Sequence, residues 1–277
     1  MKTLYITDLD GTLLGDDARV SHTSAAIISD LSRRGALISV ATARTPATVD
    51  ILMKDTYTTV DMVVMTGAAL WNRDNRRFDG LRLLEHDDVA TLLNCFAEVG
   101  VQPFCYALKD SRSLEVFHGA PALTTPEQLF VDQRNALVLK KFNLSVAAPE
   151  ESYDRMVLFF AMGPYDAIIA VAERAKKTTR CYVSYYKDTY TPDIWLLEIF
   201  AEGVSKAEGV ARLKAALGAD RVVAFGDNLN DIAMLREADV AVVVDNALPE
   251  VKAVADIIIG CNNDDAVARY IAEDFKN

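Results

Sequence analysis

The sequence is short of the residues that staple small scaffolds together. Its 277 residues hold four cysteines, Cys95, Cys105, Cys181 and Cys261, and no two are spaced as a CxxC pair. A disulfide or zinc framework is thereby excluded as the organising device, and the four read as reduced, mostly buried thiols of a cytoplasmic protein. Histidine is scarcer still. His22, His86 and His118 cluster with nothing in the sequence and read as structural or exposed. Ser-His-Asp and Cys-His nucleophile schemes therefore have no local signature. There is no Gly-x-x-x-x-Gly-Lys loop and no Gly-x-Gly-x-x-Gly. No apolar run approaches the length of a membrane span, and Met1-Lys2 leads straight into a strand pattern with no signal-peptide pattern. Basic residues are in deficit, 29 against 40 acidic, for a formal net charge of -11. That balance argues against nonspecific nucleic-acid binding and against anionic membrane surfaces. A small anionic substrate stays open, because local charge or a metal can reverse the local field. Internal repeats and low-complexity segments are absent as well.

What is present is an ordinary globular balance, 51% apolar and 25% charged, in a length that suits one large domain or two smaller ones. Thr3 to Thr7 is an apolar, β-branched run that reads as a buried strand. A helix is predicted from His22 to Arg34, with Ser21 or Thr23 as N-cap and Gly35 as stop. Ala36 to Ala41 is a second strand, 46 to about 54 a helix opened by Pro46, and Met62 to Met65 a third strand. Alternating strands and helices imply right-handed crossovers and a parallel sheet covered on both faces. The rhythm changes over 82–192, where aromatic, β-rich runs and helical stretches read as an α+β insert with antiparallel strands and helices on one face. It returns afterwards: Trp195 to Ile199 is read as a strand of the core, followed by a helix from Ser205, a strand at Arg221 to Phe225 and a further strand at Val240 to Val244. A discontinuous core, 1–81 plus 193–277, would thus carry one continuous insert, 82–192. Small-ligand sites favour such domain boundaries.

Three apolar core strands end in polar residues of different kinds. Asp8 and Asp10 follow the first, Thr42 the second, and Asp227 the strand at 221–225. Side chains alternate along a strand, so Asp8 and Asp10 point the same way if the extended geometry persists. Two like charges there call for a divalent cation or for protonation of one of them. A solvated Asp-rich turn is the plainer reading. Lys206 begins the helix that leads to the Asp227 strand. Carboxylates for a hard cation, a nucleophilic carboxylate, a hydroxyl donor and an ammonium are the set that a phosphoryl group needs. Each piece has a plainer alternative. Asp227 and Asp231 could cap a helix, Thr42 could be a turn residue, Lys206 a solvated helix charge and Arg44 a surface residue. An EF-hand reading of Asp8-x-Asp10-Gly11 fails on the positions of its glycine and glutamate.

These residues resemble a known family. Asp8-Leu9-Asp10-Gly11-Thr12-Leu13-Leu14 is similar to motif I of the haloacid dehalogenase-like hydrolase superfamily. Val40-Ala41-Thr42-Ala43-Arg44 resembles its motif II, Gly203-Val204-Ser205-Lys206 its motif III, and Gly226-Asp227-Asn228-Leu229-Asn230-Asp231 its motif IV. The insert between motifs II and III, and the run Val244-Asp245-Asn246-Ala247, resemble the Cof-type subgroup with a C2-type (C2B) cap. The resemblance implies an α/β fold: a three-layer, Rossmann-like parallel-sheet core, 1–81 and 193–277, with an inserted α+β cap, 82–192, that selects the substrate. It implies a Mg²⁺-dependent phosphatase of small phosphorylated metabolites, sugar phosphates foremost. Asp8 would attack phosphorus. Asp10 would protonate the leaving oxygen, then activate water, and offer its backbone carbonyl to the metal. Asp8, Asp227 and Asp231 complete the metal set, Asp231 through water. Thr42, Ala43, Lys206 and Asn230 would hold phosphate, and Arg44 and Asn246 would face the substrate or the metal shell. A phosphomutase, or a metabolite-sensing protein without activity, stands as the alternative. The protein is expected in the cytoplasm as a monomer or homodimer, with no nucleic-acid or membrane partner. Three positions depart from the family pattern. Motif II has Ala43 where glycine is usual, Thr66-Gly67-Ala68 stands for the frequent Asn-Gly-Ala, and Ala266 replaces a glycine.

Overall fold

The computed structural model describes residues 1–188, Thr191 and residues 193–276. It divides into two compact units, Met1–Gly80 with Ser205–Asn277, and Leu81–Val204.

In the first unit, β1 (Thr3–Thr7), α1 (His22–Arg33), β2 (Leu37–Val40), α2 (Pro46–Leu52) and β3 (Met62–Val64) follow in turn, then β4 (Ala69–Asn72) and β5 (Arg77–Asp79). β1 is buried along almost its whole length, as a strand covered on both faces must be. Ser21 accepts a hydrogen bond from the Ser24 amide at 2.9 Å and so starts α1.

The second unit holds α3 (His86–Val99), β6 (Phe104–Leu108), β7 (Leu114–His118), α4 (Thr125–Asp132), β8 (Lys140–Leu144), β9 (Met156–Gly163), α5 (Tyr165–Thr178), β10 (Tyr182–Lys187) and β11 (Trp195–Phe200). Its sheet has the order β10-β11-β9-β6-β7-β8. One face packs on α3 and α5 through Cys105, Phe117, Phe159, Leu197 and Ile199. On the alternate positions, Phe104 and Phe160 meet Phe130 of α4, with ring centroids 5.3 and 4.9 Å apart.

The chain then returns to the first unit with α6 (Lys206–Leu217), β12 (Arg221–Gly226), α7 (Ile232–Glu237), β13 (Val240–Val244), α8 (Pro249–Lys252), β14 (Ile257–Ile259) and α9 (Ala266–Asp274). Its parallel sheet runs β14-β13-β12-β1-β2. Thr7 pairs with Phe225 on one side and Val40 on the other. The carboxyl ends of β1, β2 and β12 are therefore level, and the next residues in each chain segment meet at one edge of the sheet. A single bridge, Ala41 to Val63, joins β3 to this sheet, and β3, β4 and β5 make an antiparallel ribbon.

The parallel core and α+β insert agree with the predicted fold class. Details differ. Trp195 to Ile199, read as core, pairs antiparallel with β9 and β10 in the second sheet. Its residues Leu197 and Ile199 complete the apolar face under α3 and α5, a destination that a short apolar run does not reveal. The division falls between Val204 and Ser205; Pro192, where the sequence reading closed the insert, lies outside the described residues. β7 and β8 pair in parallel, and α4 lies on the other face of the sheet from α3 and α5.

Candidate active site

Lys206 opens α6 with Ser205 as N-cap, and its ammonium is fully enclosed. It donates to Asp8 Oδ1 at 2.6 Å and to Asp231 Oδ1 at 2.7 Å. Asp8, Lys206 and Asp231 are respectively 5%, 2% and 0% exposed. Asp231 also accepts the amides of Asp227 and Asn228 on its second oxygen, at 3.1 and 3.0 Å. One oxygen of Asp231 thus caps the turn that follows β12, and the other meets Lys206.

Asp227 is placed by Thr12, whose hydroxyl donates to Asp227 Oδ1 at 2.6 Å. Gly11 stands behind the same carboxylate at φ 77°, and a Cβ there would lie 2.5 Å from Asp227 Oδ2. Only glycine allows both the left-handed turn and the approach. Oxygens of Asp8, Asp227 and Asp231 lie within 4.8 Å of one another. Three carboxylates against one ammonium leave an uncompensated negative charge in a buried place. Burial, with Asp231 nearby, pushes Asp8 up to about 8 despite Lys206. Burial also pushes Asp227 up to about 6. Burial pulls the Lys206 ammonium down, and Asp231 and Asp8 outweigh it, holding Lys206 above the usual lysine range. Hard oxygen donors with unmet negative charge fit a divalent cation such as Mg²⁺.

Asp10 does not join this cluster. The chain leaves β1 with a helical residue at Leu9, between an extended Asp8 and an extended Asp10, so the geometry that would align the two carboxylates is already broken before Gly11 turns at φ 77°. Asp10 is exposed, and Arg44 grips it with both ends of the guanidinium, at 2.7 and 2.6 Å. Arg44 thereby meets a catalytic candidate instead of open solvent. Thr42 is buried, and its hydroxyl accepts the Arg44 amide at 3.2 Å. Ala43 is absent from the residues with positive φ, so this turn does not need the freedom of the glycine it replaces. Asn230 is exposed in the turn Leu229–Asp231. Asn246 donates to the Gly11 carbonyl at 2.7 Å and accepts the Asn262 amide at 2.9 Å, which fixes it as a brace of the Gly11 turn.

Sequence reasoning assigned no role to Thr12 or Gly67. Thr12 stood inside the quoted motif, and a hydroxyl four residues past a candidate nucleophile was the available signal. Gly67, at φ 95°, lets the segment after β3 touch α6: a Cβ there would come 2.0 Å from the Ser205 carbonyl oxygen. That contact sets the start of α6 and hence Lys206.

A family model described as haloacid dehalogenase-like hydrolase matches residues 5–271. A 5-amino-6-(5-phospho-D-ribitylamino)uracil phosphatase of Bacillus subtilis is 25% identical, over 97% of this chain and 94% of its own. A haloacid dehalogenase-like hydrolase from Bacteroides thetaiotaomicron has a solved structure that superposes with a TM-score of 0.77 at 20% identity, covering 99% of this chain and 100% of that one. The structure of a subclass IIB sugar phosphatase gives 0.72 at 19% identity, covering 100% of this chain and 99% of that one. The match over nearly the whole length, with the acid cluster at the level strand ends, places this chain in the haloacid dehalogenase-like hydrolase family, in its Cof type.

Proposed function

We propose that this phosphatase is a Mg²⁺-dependent phosphomonoesterase of small phosphorylated metabolites, sugar phosphates foremost, acting through an aspartyl phosphate on Asp8. The buried Asp8–Lys206–Asp231 chain, with Asp227 beside it, is the observation that carries the reading. Asp8, Asp227 and Asp231 are the residues that would hold the cation, with the Asp10 carbonyl. Bound there, Mg²⁺ supplies positive charge to the phosphoryl oxygens.

The rest is the work of this chain. Lys206 opposes the burial that raises Asp8 and fixes the direction of its carboxylate. Asp8 forms a bond to phosphorus as the bond to the leaving oxygen breaks. Asp10 gives that oxygen a proton, then takes one from the water that releases phosphate from Asp8. For this, Asp10 must exchange its Arg44 partner for the substrate, and Arg44 is assigned to the substrate's charge. Thr42, the Ala43 amide and Asn230 are assigned to the phosphoryl oxygens. Two neighbouring carboxylates in unlike surroundings, Asp8 enclosed and Asp10 exposed, suit nucleophile and acid–base respectively.

Sugar phosphates are favoured by the likeness to the 5-amino-6-(5-phospho-D-ribitylamino)uracil phosphatase and to the subclass IIB sugar phosphatase. Leaving-group selection is assigned to the second unit as a cap. Cytoplasmic location, a monomer or homodimer, and the lack of nucleic-acid or membrane partners belong to the same proposal. Among the described residues no helix is long and apolar enough to cross a membrane. A panel of phosphorylated metabolites assayed for inorganic phosphate, with Mg²⁺ and with EDTA, tests the reading. Release from one or more sugar phosphates, abolished by EDTA, is expected. Transfer to a second sugar position without release would mean a phosphomutase, and inertness toward the whole panel would overturn the assignment.

A further inference from the structure

At the end of the first unit away from the acid cluster, two threonine hydroxyls and two cations stand together without partners. β3 and β4 pair antiparallel, Val64 with Ala69 and Met62 with Trp71. The corner between them lies beside Thr42, whose carbonyl accepts the Thr66 amide at 3.0 Å. The segment that leads into β3 and the turn that follows β4 therefore meet at the opposite end. With the last turns of α1 and the turn after α2 they line a cavity of about 610 Å³, within the roughly 300 to 1,000 Å³ of small-molecule sites. Every residue that lines it belongs to the first unit.

Main-chain groups along this wall are held. Arg73 donates to the Thr56 and Met53 carbonyls at 2.9 and 2.8 Å, and Ser29 Oγ accepts the Tyr57 amide at 2.9 Å. The threonine side chains are not. Thr56 and Thr58 line the cavity at 2% and 7% exposure, and neither hydroxyl has a hydrogen-bond partner among the described residues. Hydroxyls enclosed in this way are uncommon and unfavourable, because each gives up water and gains no bond in return. A valine would fill the same space without that loss.

The charges divide in the same manner. Asp50 is engaged: it accepts Trp71 Nε1 at 2.8 Å and stands 3.9 and 3.8 Å from Arg73 and Arg76. Arg33 lies over the Tyr57 ring, 5.3 Å from its centroid. Among the described residues neither its guanidinium nor the Lys54 ammonium has a hydrogen bond or an ion pair. Asp55 and Asp74 line the cavity too, but they are exposed and pair with neither cation. Basic side chains on this lining outnumber acidic ones four to three, in a chain where acids lead 40 to 29.

We infer that this cavity is a binding site for a small molecule carrying an anionic oxygen group, a phosphate or a carboxylate. Lys54 and Arg33 meet its charge, and the Thr56 and Thr58 hydroxyls donate to its oxygens. Such a ligand supplies acceptors and negative charge that no protein group provides there. The site shares no residue with the acid cluster and uses none of the proposed chemistry, so its ligand binds without a divalent cation and without turnover.

The test is isothermal titration of the full-length protein in EDTA with inorganic phosphate and, separately, with citrate. EDTA withholds any cation from the acid cluster, whose carboxylates then repel both probes. Saturable binding is expected, and the probe that binds tighter tells phosphate from carboxylate. The Kd should rise about tenfold or more in Lys54→Met and in Thr56→Val, while p-nitrophenyl phosphate turnover in Mg²⁺ stays at the wild-type level. Without probe, Thr56→Val should melt no lower than wild type, since it removes a hydroxyl that bonds to nothing. Binding of neither probe overturns the site, and so does binding that both variants retain. A lower melting temperature for unliganded Thr56→Val would show that the hydroxyl already has a partner, and would overturn it as well. A protein that binds a probe here but hydrolyses no phosphomonoester would sink only the functional reading.

Discussion

At the scale of single residues the account turns on Lys206. Its ammonium serves two enclosed carboxylates at once, and nothing else of positive charge reaches them in the described residues at hydrogen-bond distance. Lys206→Met would strand Asp8 and Asp231 in a place without water. Breaking a buried pair by removing one partner costs about 3 to 5 kcal/mol. Denaturant unfolding in EDTA should show a loss of that order, and a loss below about 0.5 kcal/mol would mean that the carboxylates are hydrated after all. Asp8, Asp227, Thr42 and Lys206 were legible in the sequence because each sits at the end of an apolar strand or the start of a helix, where the fold class itself dictates position. Asp10 was legible as a chemical group but not in its placement. Alternation along a strand predicted that it would point with Asp8, and the helical turn at Leu9, between the two, breaks the extended run before that rule applies. The Arg44–Asp10 fork spans 34 positions of sequence, and no local pattern foretells such a pair.

Elements hold these residues in place through a few close approaches. The segment after β3 meets α6 at Gly67, where an added Cβ would strike the Ser205 carbonyl at 2.0 Å. At Gly100, the left-handed cap of α3, an added Cβ would meet nothing within 4 Å. Gly100→Ala should therefore cost only the conformational term, about 1 kcal/mol. Gly67→Ala must add backbone displacement to it, and its melting temperature should drop by clearly more, with loss of activity as Lys206 shifts. Equal melting temperatures for the two would contradict the packing argument. On the second unit, α4 is tied to the sheet by His118. The ring stacks on Phe104 at 4.2 Å, and Nε2 lies 3.8 Å from Glu127 Oε1. Burial pulls the His118 pKa down, and Glu127 only partly opposes it. A folded value below the unfolded one, about 6.5, means that stability is complete above that pH and is lost as the pH falls through it. Wild type should lose stability between pH 7 and 5 more steeply than His118→Gln, by up to ~1.4 kcal/mol per pH unit; parallel curves would show that the ring is charged when folded. The sequence predicted α4 but not its side of the sheet. A half-covered face and a fully covered one look alike in short aromatic strands such as β6 and β9, and β11 was assigned to the wrong sheet for the same reason.

At the scale of the whole molecule, a chain of net charge -11 turns the same excess of carboxylates to account in two ways. Scattered, they give the chain its acidic balance. Gathered at the level ends of β1 and β12, they make a place of unmet negative charge. A cation held there, as the proposed function requires, would be linked to folding. Mg²⁺ at a hundred times its dissociation constant should stabilise the wild type by about 2.7 kcal/mol, read as a raised melting temperature, and Asp227→Asn should lose most of that gain. Equal gains in the two proteins would move the metal elsewhere. The discontinuous core and its single insert were visible in the order of motifs alone, since alternating strands and helices fix a parallel sheet. The exact seam was not, because the last strand of the insert is as apolar as a core strand. The central claim is that Asp8 is the nucleophile. Its most direct measurement is p-nitrophenyl phosphate turnover in Mg²⁺ by wild type and Asp8→Asn, with folding of both checked by circular dichroism. The account predicts release of p-nitrophenol by the wild type and its abolition in the folded Asp8→Asn protein; turnover retained by that variant would contradict it.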